Sequence, residues 1–177
     1  MAKDKIIILG FLLLSGCFGL SGQNPGDRVK EIYDSQVGVR EATGQNDGSQ
    51  VERYLAVTGF GKGSAWCASF VAWVFEQAGI PTVKSAWSPS WFPDSKTIYT
   101  RGANRNKVPS QADVFGIYFH KYKRIAHVGF IDRWPSNSSY VVTVEGNTND
   151  NLSREGDGVY RKRRLKSQIF KVSRWTN

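Results

Sequence analysis

Three side chains in this 177-residue sequence carry the groups needed for nucleophilic attack on an amide. They are the thiol of Cys67 in GKGSAWCASFVAWVFEQAGI, the imidazole of His127 in IAHVGFID and the carboxylate of Glu145 in YVVTVEGN, with Asn147 two residues on. A thiolate is the nucleophile, an imidazole takes and returns the proton, and a carboxylate beside the ring sets its tautomer and stabilises its charged form. Cys67 falls where a helix should begin. There the unpaired N–H groups and the positive end of the helix favour a thiolate and can hold an oxyanion. Each residue alone has a plainer account: packing for a free cysteine, a structural ion pair for the histidine, a turn for the EGN run. Their coincidence favours chemistry.

Spacing brings the histidine and the carboxylate together. IAHVGFID and YVVTVEGN flank a seven-residue polar link, Arg133 to Ser139, of the kind that closes a hairpin. If Asp132 pairs with Tyr140, His127 lies directly opposite Glu145, with Cβ atoms about 5 Å apart. Asn147 then shares that face, diagonal to the ring. A slip of one residue would break this parity.

The elements that must hold these residues are legible upstream and downstream. Pro25 and Asp27 open a helix with Val29, Ile32, Tyr33 and Gln36 on one face; Ser49 and Glu52 form a capping box before Val51, Tyr54 and Leu55. Gly63 and Ser64 precede a third helix, closed by Gly79, Ile80 and Pro81, whose Phe70, Val71, Val74, Phe75 and Ala78 continue the face of Cys67. Lys84 to Ser110 reads as one long irregular connection. Beyond it the period becomes two, and ADVFGIYF, IAHVGFID, YVVTVEGN, GVYRKRRL and IFKVSRW are five strand candidates. The expectation is an α+β fold with N-terminal helices packed on an antiparallel sheet.

Residues 1–22 read as an export signal, with Lys3 and Lys5 before an apolar run from Ile6 to Leu14 and small residues after it. LSGC, Leu14 to Cys17, matches a lipobox, which would leave Cys17 as a lipid-modified N-terminus; cleavage between Ser21 and Gln23 is the alternative. Either outcome leaves Cys67 without a disulfide partner in an exported protein, where cysteines usually pair. Residues 23–177 form the single remaining domain, and a composition of 40% hydrophobic and 13% aromatic residues suits a packed core.

The net charge of +9, about +8 without the signal, favours an anionic partner. RKRRLK, Arg161 to Lys166, reads as a strand with a solvated basic face, and no nucleic-acid motif accompanies it. His120, between Phe119 and Lys121, falls in a turn, so one histidine is left in a structured setting, with neither CxxC nor HExxH. A metal site and a cofactor are not expected.

WCASFVAW on a helix, HVGFID on a strand and VEGNTN at the end of the next resemble the CHAP domain, the cysteine, histidine-dependent amidohydrolase/peptidase group. That group is related to the NlpC/P60 and papain-like cysteine peptidases. GDGVYRKRR also resembles the basic strand of bacterial members, so the likeness runs from about Gln36 to Arg164. It implies a papain-like core with Cys67 as nucleophile at a helix N-terminus, His127 as base and later acid, Glu145 as orienting residue and Asn147 assisting. Because papain-like relatives orient the ring with Asn, the order of Glu145 and Asn147 stays open.

Peptidoglycan is the substrate so implied, cut at the sugar–peptide amide or within the stem peptide. The location implied is the periplasm or cell envelope, lipid-anchored if Cys17 is modified. Trp66, Trp87 and Trp91, with Phe92, are candidates to line the substrate cleft. The competing classes are a catalytically silent wall-binding lipoprotein of the same fold and a cysteine peptidase of a non-wall peptide.

Overall fold

The computed structural model describes residues 22–104, 107–150 and 156–176. The signal and lipobox readings, Cys17 included, lie outside these residues.

Helix α1 (Pro25–Gln36) starts where Asn24 accepts the Gly26 N–H at 2.8 Å and Pro25 supplies a first-turn residue that needs no donor. Helix α2 (Ser49–Val57) begins one residue earlier than a Ser49 cap requires. Gly48 is the cap, at φ 106°, and Glu52 reaches back to its N–H at 3.3 Å, so only the acidic half of the expected capping box forms. A Cβ at Gly48 would also stand 3.1 Å from the Ala42 nitrogen. Helix α3 (Cys67–Gln77) starts at the cysteine itself, after Trp66.

Five of the six strands coincide with the alternating segments: β2 (Val114–Phe119), β3 (Arg124–Arg133), β4 (Tyr140–Thr148), β5 (Gly158–Leu165) and β6 (Lys171–Ser173). The sixth, β1 (Thr97–Thr100), and the 3₁₀ turn Ser88–Trp91 lie within the stretch expected to be irregular. Four residues are too few to show alternation, and β1 is held by pairing to β6, with a register shift between Thr97 and Tyr99. All pairings are antiparallel, in the order β1-β6-β2-β3-β4-β5, so the fold is α+β as expected.

The sheet is apolar on both faces. Val128, Phe130 and Val144 pack on the helices, whereas Phe115, Ile131, Val141 and Val172 gather with Ile98 and Ile169 on the other side. Phe130 meets Phe70 and Phe75 of α3 edge-on, with ring centroids 6.1 and 5.4 Å apart. Each such ring contributes about 2–3 kcal/mol by burial, so α3 is seated firmly on β3.

Candidate active site

The start of α3 is fixed from three sides. The Trp66 indole donates to Glu41 at 2.8 Å and stacks on Tyr54 at 5.5 Å. The Trp66 backbone N–H donates to Asn147 Oδ1 at 3.1 Å, and the Asn147 amide donates in turn to Asn46 at 2.9 Å. Gly146 lets β4 approach this turn, since a Cβ there would stand 2.7 Å from Trp66 and 2.8 Å from Phe70. The EGN run is therefore more than a turn: its glycine admits the helix and its asparagine, at φ 53°, holds the residue before the cysteine.

The β3–β4 register is two residues from the expected one. Phe130 pairs with Val144 and Ile131 with Thr143, while Arg133, nearer the link, pairs with Val142, three residues from its expected partner. The offset therefore begins in the link, and a one-residue irregularity between Ile131 and Arg133 reduces it to two where Asp132 meets Lys30 at 2.7 Å and Tyr33 at 3.2 Å. Continuing that register puts Asn147, not Glu145, opposite His127. A shift of two keeps side chains on their faces, and Glu145 still reaches the ring diagonally.

His127 Nε2–H donates to Glu145 Oε2 at 2.8 Å. With Nε2 committed, Nδ1 is the nitrogen left for Cys67, and thiol and ring are near enough that each shifts the other's proton affinity. The β3–β4 pairs end at Phe130, and the Val128 N–H below them helps to lower the thiol. Asn147 is turned away to Trp66 and Asn46, so the structure brings Cys67, His127 and Glu145 into one line and puts Asn147 behind the nucleophile turn.

Glu145 is fully buried and does not rely on His127 alone. Arg164 of β5 grips both carboxylate oxygens with Nε and Nη2, and the Thr143 hydroxyl donates to Oε1. The basic run is thus solvated on one face only. Arg161 and Arg163 are exposed, whereas Lys162 and Arg164 turn inward. The period-two pattern contained that split, but nothing in the run marked which row would meet a carboxylate.

The charges follow from these contacts. Burial pushes the Cys67 thiol up, but its bond to His127, the charge of the ring, the Val128 N–H and Ser88 outweigh burial and lower it. For His127, burial pulls down, while hydrogen bonds to Cys67 and Glu145 and their negative charges raise it to about 9. Burial would also raise Glu145; Arg164 and His127 reverse this and hold it well below the usual carboxylate range. The three groups favour a thiolate–imidazolium pair backed by a carboxylate.

The aromatic candidates separate sharply. Trp66 and Trp91 are core residues and cannot line a cleft: Trp66 is enclosed as described, and Trp91 stacks on Phe75 at 5.8 Å and meets Trp175 at 5.6 Å. Phe92 is buried against Gly116. Sequence periodicity carries no signal for this, because all sit in an irregular stretch or a helix cap. Trp87 alone is open, at 52% exposure.

Ser88 had no signal in the sequence. It is 4% exposed, and its hydroxyl lies 3.9 Å from Cys67 Sγ. A buried hydroxyl at this place can donate to the thiolate. Ser88→Ala is expected to move the alkylation midpoint of Cys67 to higher pH by about half a unit to one unit, about 1 kcal/mol for a lost hydrogen bond. Iodoacetamide rates across pH measure it, and an unmoved midpoint would reduce Ser88 to packing.

A family model for the CHAP domain matches residues 59–147, just over half of the chain, from the turn before α3 to Asn147. No curated protein matches, and no solved structure does. Arg164 and all of β5 lie outside the matched residues.

Proposed function

The chain belongs to the CHAP domain family of cysteine- and histidine-dependent amidohydrolases and peptidases, and from that premise we propose an exported enzyme that hydrolyses amide bonds of peptidoglycan. The observation that carries the reading is the line of contact from the Cys67 thiol through His127 to Glu145, with the thiol lowered and the imidazole raised.

In this reading the Cys67 thiolate attacks the amide carbonyl. The free N–H groups of the first turn of α3 face the developing oxyanion. Nδ1–H of His127 passes its proton to the leaving amine, and the acyl-enzyme remains. His127, now neutral, takes a proton from water, whose oxygen attacks the thioester and restores the thiolate. Glu145 keeps Nε2 protonated throughout and compensates the ring each time it becomes charged. Arg164 and Thr143 keep Glu145 in place and ionised.

Peptidoglycan is favoured as substrate by the family and by the basic charge of the chain, which suits an anionic polymer. Digestion of purified sacculi tests it. The expected result is soluble muropeptides whose new ends, read by mass spectrometry, are the amine and carboxyl of one cleaved amide type. Sacculi left intact by the wild-type enzyme would overturn the substrate.

Export and attachment through Cys17 belong to the same reading, from the basic flank, apolar run and LSGC motif. Cells fed a clickable fatty acid should label the wild-type chain and leave Cys17→Ala unlabelled. Equal labelling of both, or none of either, would reject the anchor.

A further inference from the structure

Arg124 is a cation without an acid. Among the described residues it makes no ion pair, unlike Lys30, Lys84, Arg161, Arg164 and Arg174; Arg40, Arg101 and Arg163 also lie over rings without an ion pair, so it is the position of Arg124 that sets it apart. It is nonetheless held in place. Its guanidinium lies 4.1 Å above the centroid of Trp87 and 5.7 Å from that of Tyr122, and Nη1 donates to the Ile125 carbonyl at 3.0 Å. Both rings are exposed. A guanidinium stacked on an aromatic ring keeps its in-plane donors free for an anion and has already lost most of its rotamer freedom.

The position of this stack matters as much as its charge. Trp87 precedes Ser88, whose hydroxyl is 3.9 Å from the Cys67 sulfur, and Arg124 lies on the same strand as His127, three residues before it, where the extra residue between Ile125 and His127 puts the two on one row. The two halves of the stack therefore sit on the two segments that carry groups facing the thiol. Three residues of strand span roughly 10 Å, about the reach of two or three residues of extended peptide.

We propose that Arg124, braced by Trp87 and Tyr122, is a carboxylate-binding subsite beside the thiol. The substrate it fits is a peptide with a free carboxylate one to three residues from the scissile amide. The inference rests on Cys67 being the nucleophile, and it adds a specificity determinant that the Cys–His–Glu line does not contain. The fork of Arg124 can take both oxygens of a carboxylate, whereas a lysine there would offer a point charge.

Two alkylating reagents of nearly equal size test this without any wall substrate: anionic iodoacetate and neutral iodoacetamide. Their rates at Cys67, read from the alkylated peptide by mass spectrometry at one pH, give a ratio that cancels the intrinsic reactivity of the thiol. In the Arg124→Gln protein the iodoacetate to iodoacetamide ratio is expected to fall about 3- to 10-fold, and Arg124→Lys should recover part of it. Arg163 is the control. It too is stacked, 4.0 Å over Tyr140, and its removal lowers net charge equally on a strand row away from Glu145. An unchanged ratio in Arg124→Gln, or an equal fall in Arg163→Gln, would overturn the subsite while leaving the nucleophile intact. A wild-type Cys67 inert to both reagents would instead overturn the nucleophile and the subsite together.

Discussion

Cys67→Ala is expected to end the release of fragments from sacculi, a fall on the order of 10⁴-fold or more, without unfolding the protein. The change removes one sulfur from a site that is 7% exposed and leaves every cap of α3 untouched, because Trp66, Asn147 and Glu41 hold that turn through other atoms. Its thermal midpoint should stay within a few degrees of wild type. It should also carry a titration signature. With no thiolate beside it, His127 loses one of the two partners that raise it, so its midpoint by NMR should fall below about 9. Fragment release equal to wild type would remove Cys67 from the mechanism and return it to the core. Binding to sacculi without release by both proteins would favour a silent wall-binding role.

The parts of this site legible in the sequence are those governed by period. Side chains on a strand alternate strictly, so His127 and Glu145 share a face even though the pairing differs from expectation by two residues. The offset is three residues at Arg133, and the irregularity at Asp132, which meets Lys30 and Tyr33 about a hundred positions away in the chain, brings it back to an even number. No local pattern contains such a contact. Arg164 was opaque for the same reason: a basic strand announces a charged row but not the buried carboxylate that one member of it will clamp. Trp66 and Trp91 show the converse limit. Aromatic type is shared by core and cleft, and only packing against Tyr54, Phe75 and Trp175 separates them from the open Trp87.

Helix and sheet meet through the same logic. The apolar face of α3 specifies contact with one side of β3, yet His127 belongs to the opposite row, near Phe115 with centroids 6.3 Å apart. Helix and ring nevertheless meet, because the β3–β4 pairs end at Phe130 and Gly146 admits the first turn of α3 against β4. The thiol thus reaches an imidazole that the bulk of its helix never touches. In this arrangement the sheet opening, rather than any single residue, brings nucleophile and base together.

Glu145→Gln is expected to cost on the order of 10³- to 10⁴-fold in turnover, the scale of losing a carboxylate behind a catalytic histidine. The amide retains size and some hydrogen bonding but not charge, and it can present its NH₂ to Nε2, which would favour the wrong tautomer. Its pH signature is specific. Wild-type activity should rise as Cys67 ionises, below the ordinary thiol range, and fall near pH 9 as His127 loses its proton. His127 is raised on folding, so its protonated form contributes stability fully below its unfolded value of about 6.5; this contribution fades as pH rises toward 9. Glutamine removes the Glu145 share of that rise. The alkaline limb should therefore move to lower pH by about a unit, while the acid limb, set by Cys67, moves little. Stability should fall by about 1–3 kcal/mol because Arg164, 17% exposed, loses its counter-charge. Asn147→Ala provides the contrast. It frees the Trp66 N–H and substitutes a left-handed asparagine, so it should lower turnover roughly tenfold with both limbs unmoved. Equal losses in the two variants, or an alkaline limb that stays in place in Glu145→Gln, would mean that Glu145 supports the fold and not the charge on His127.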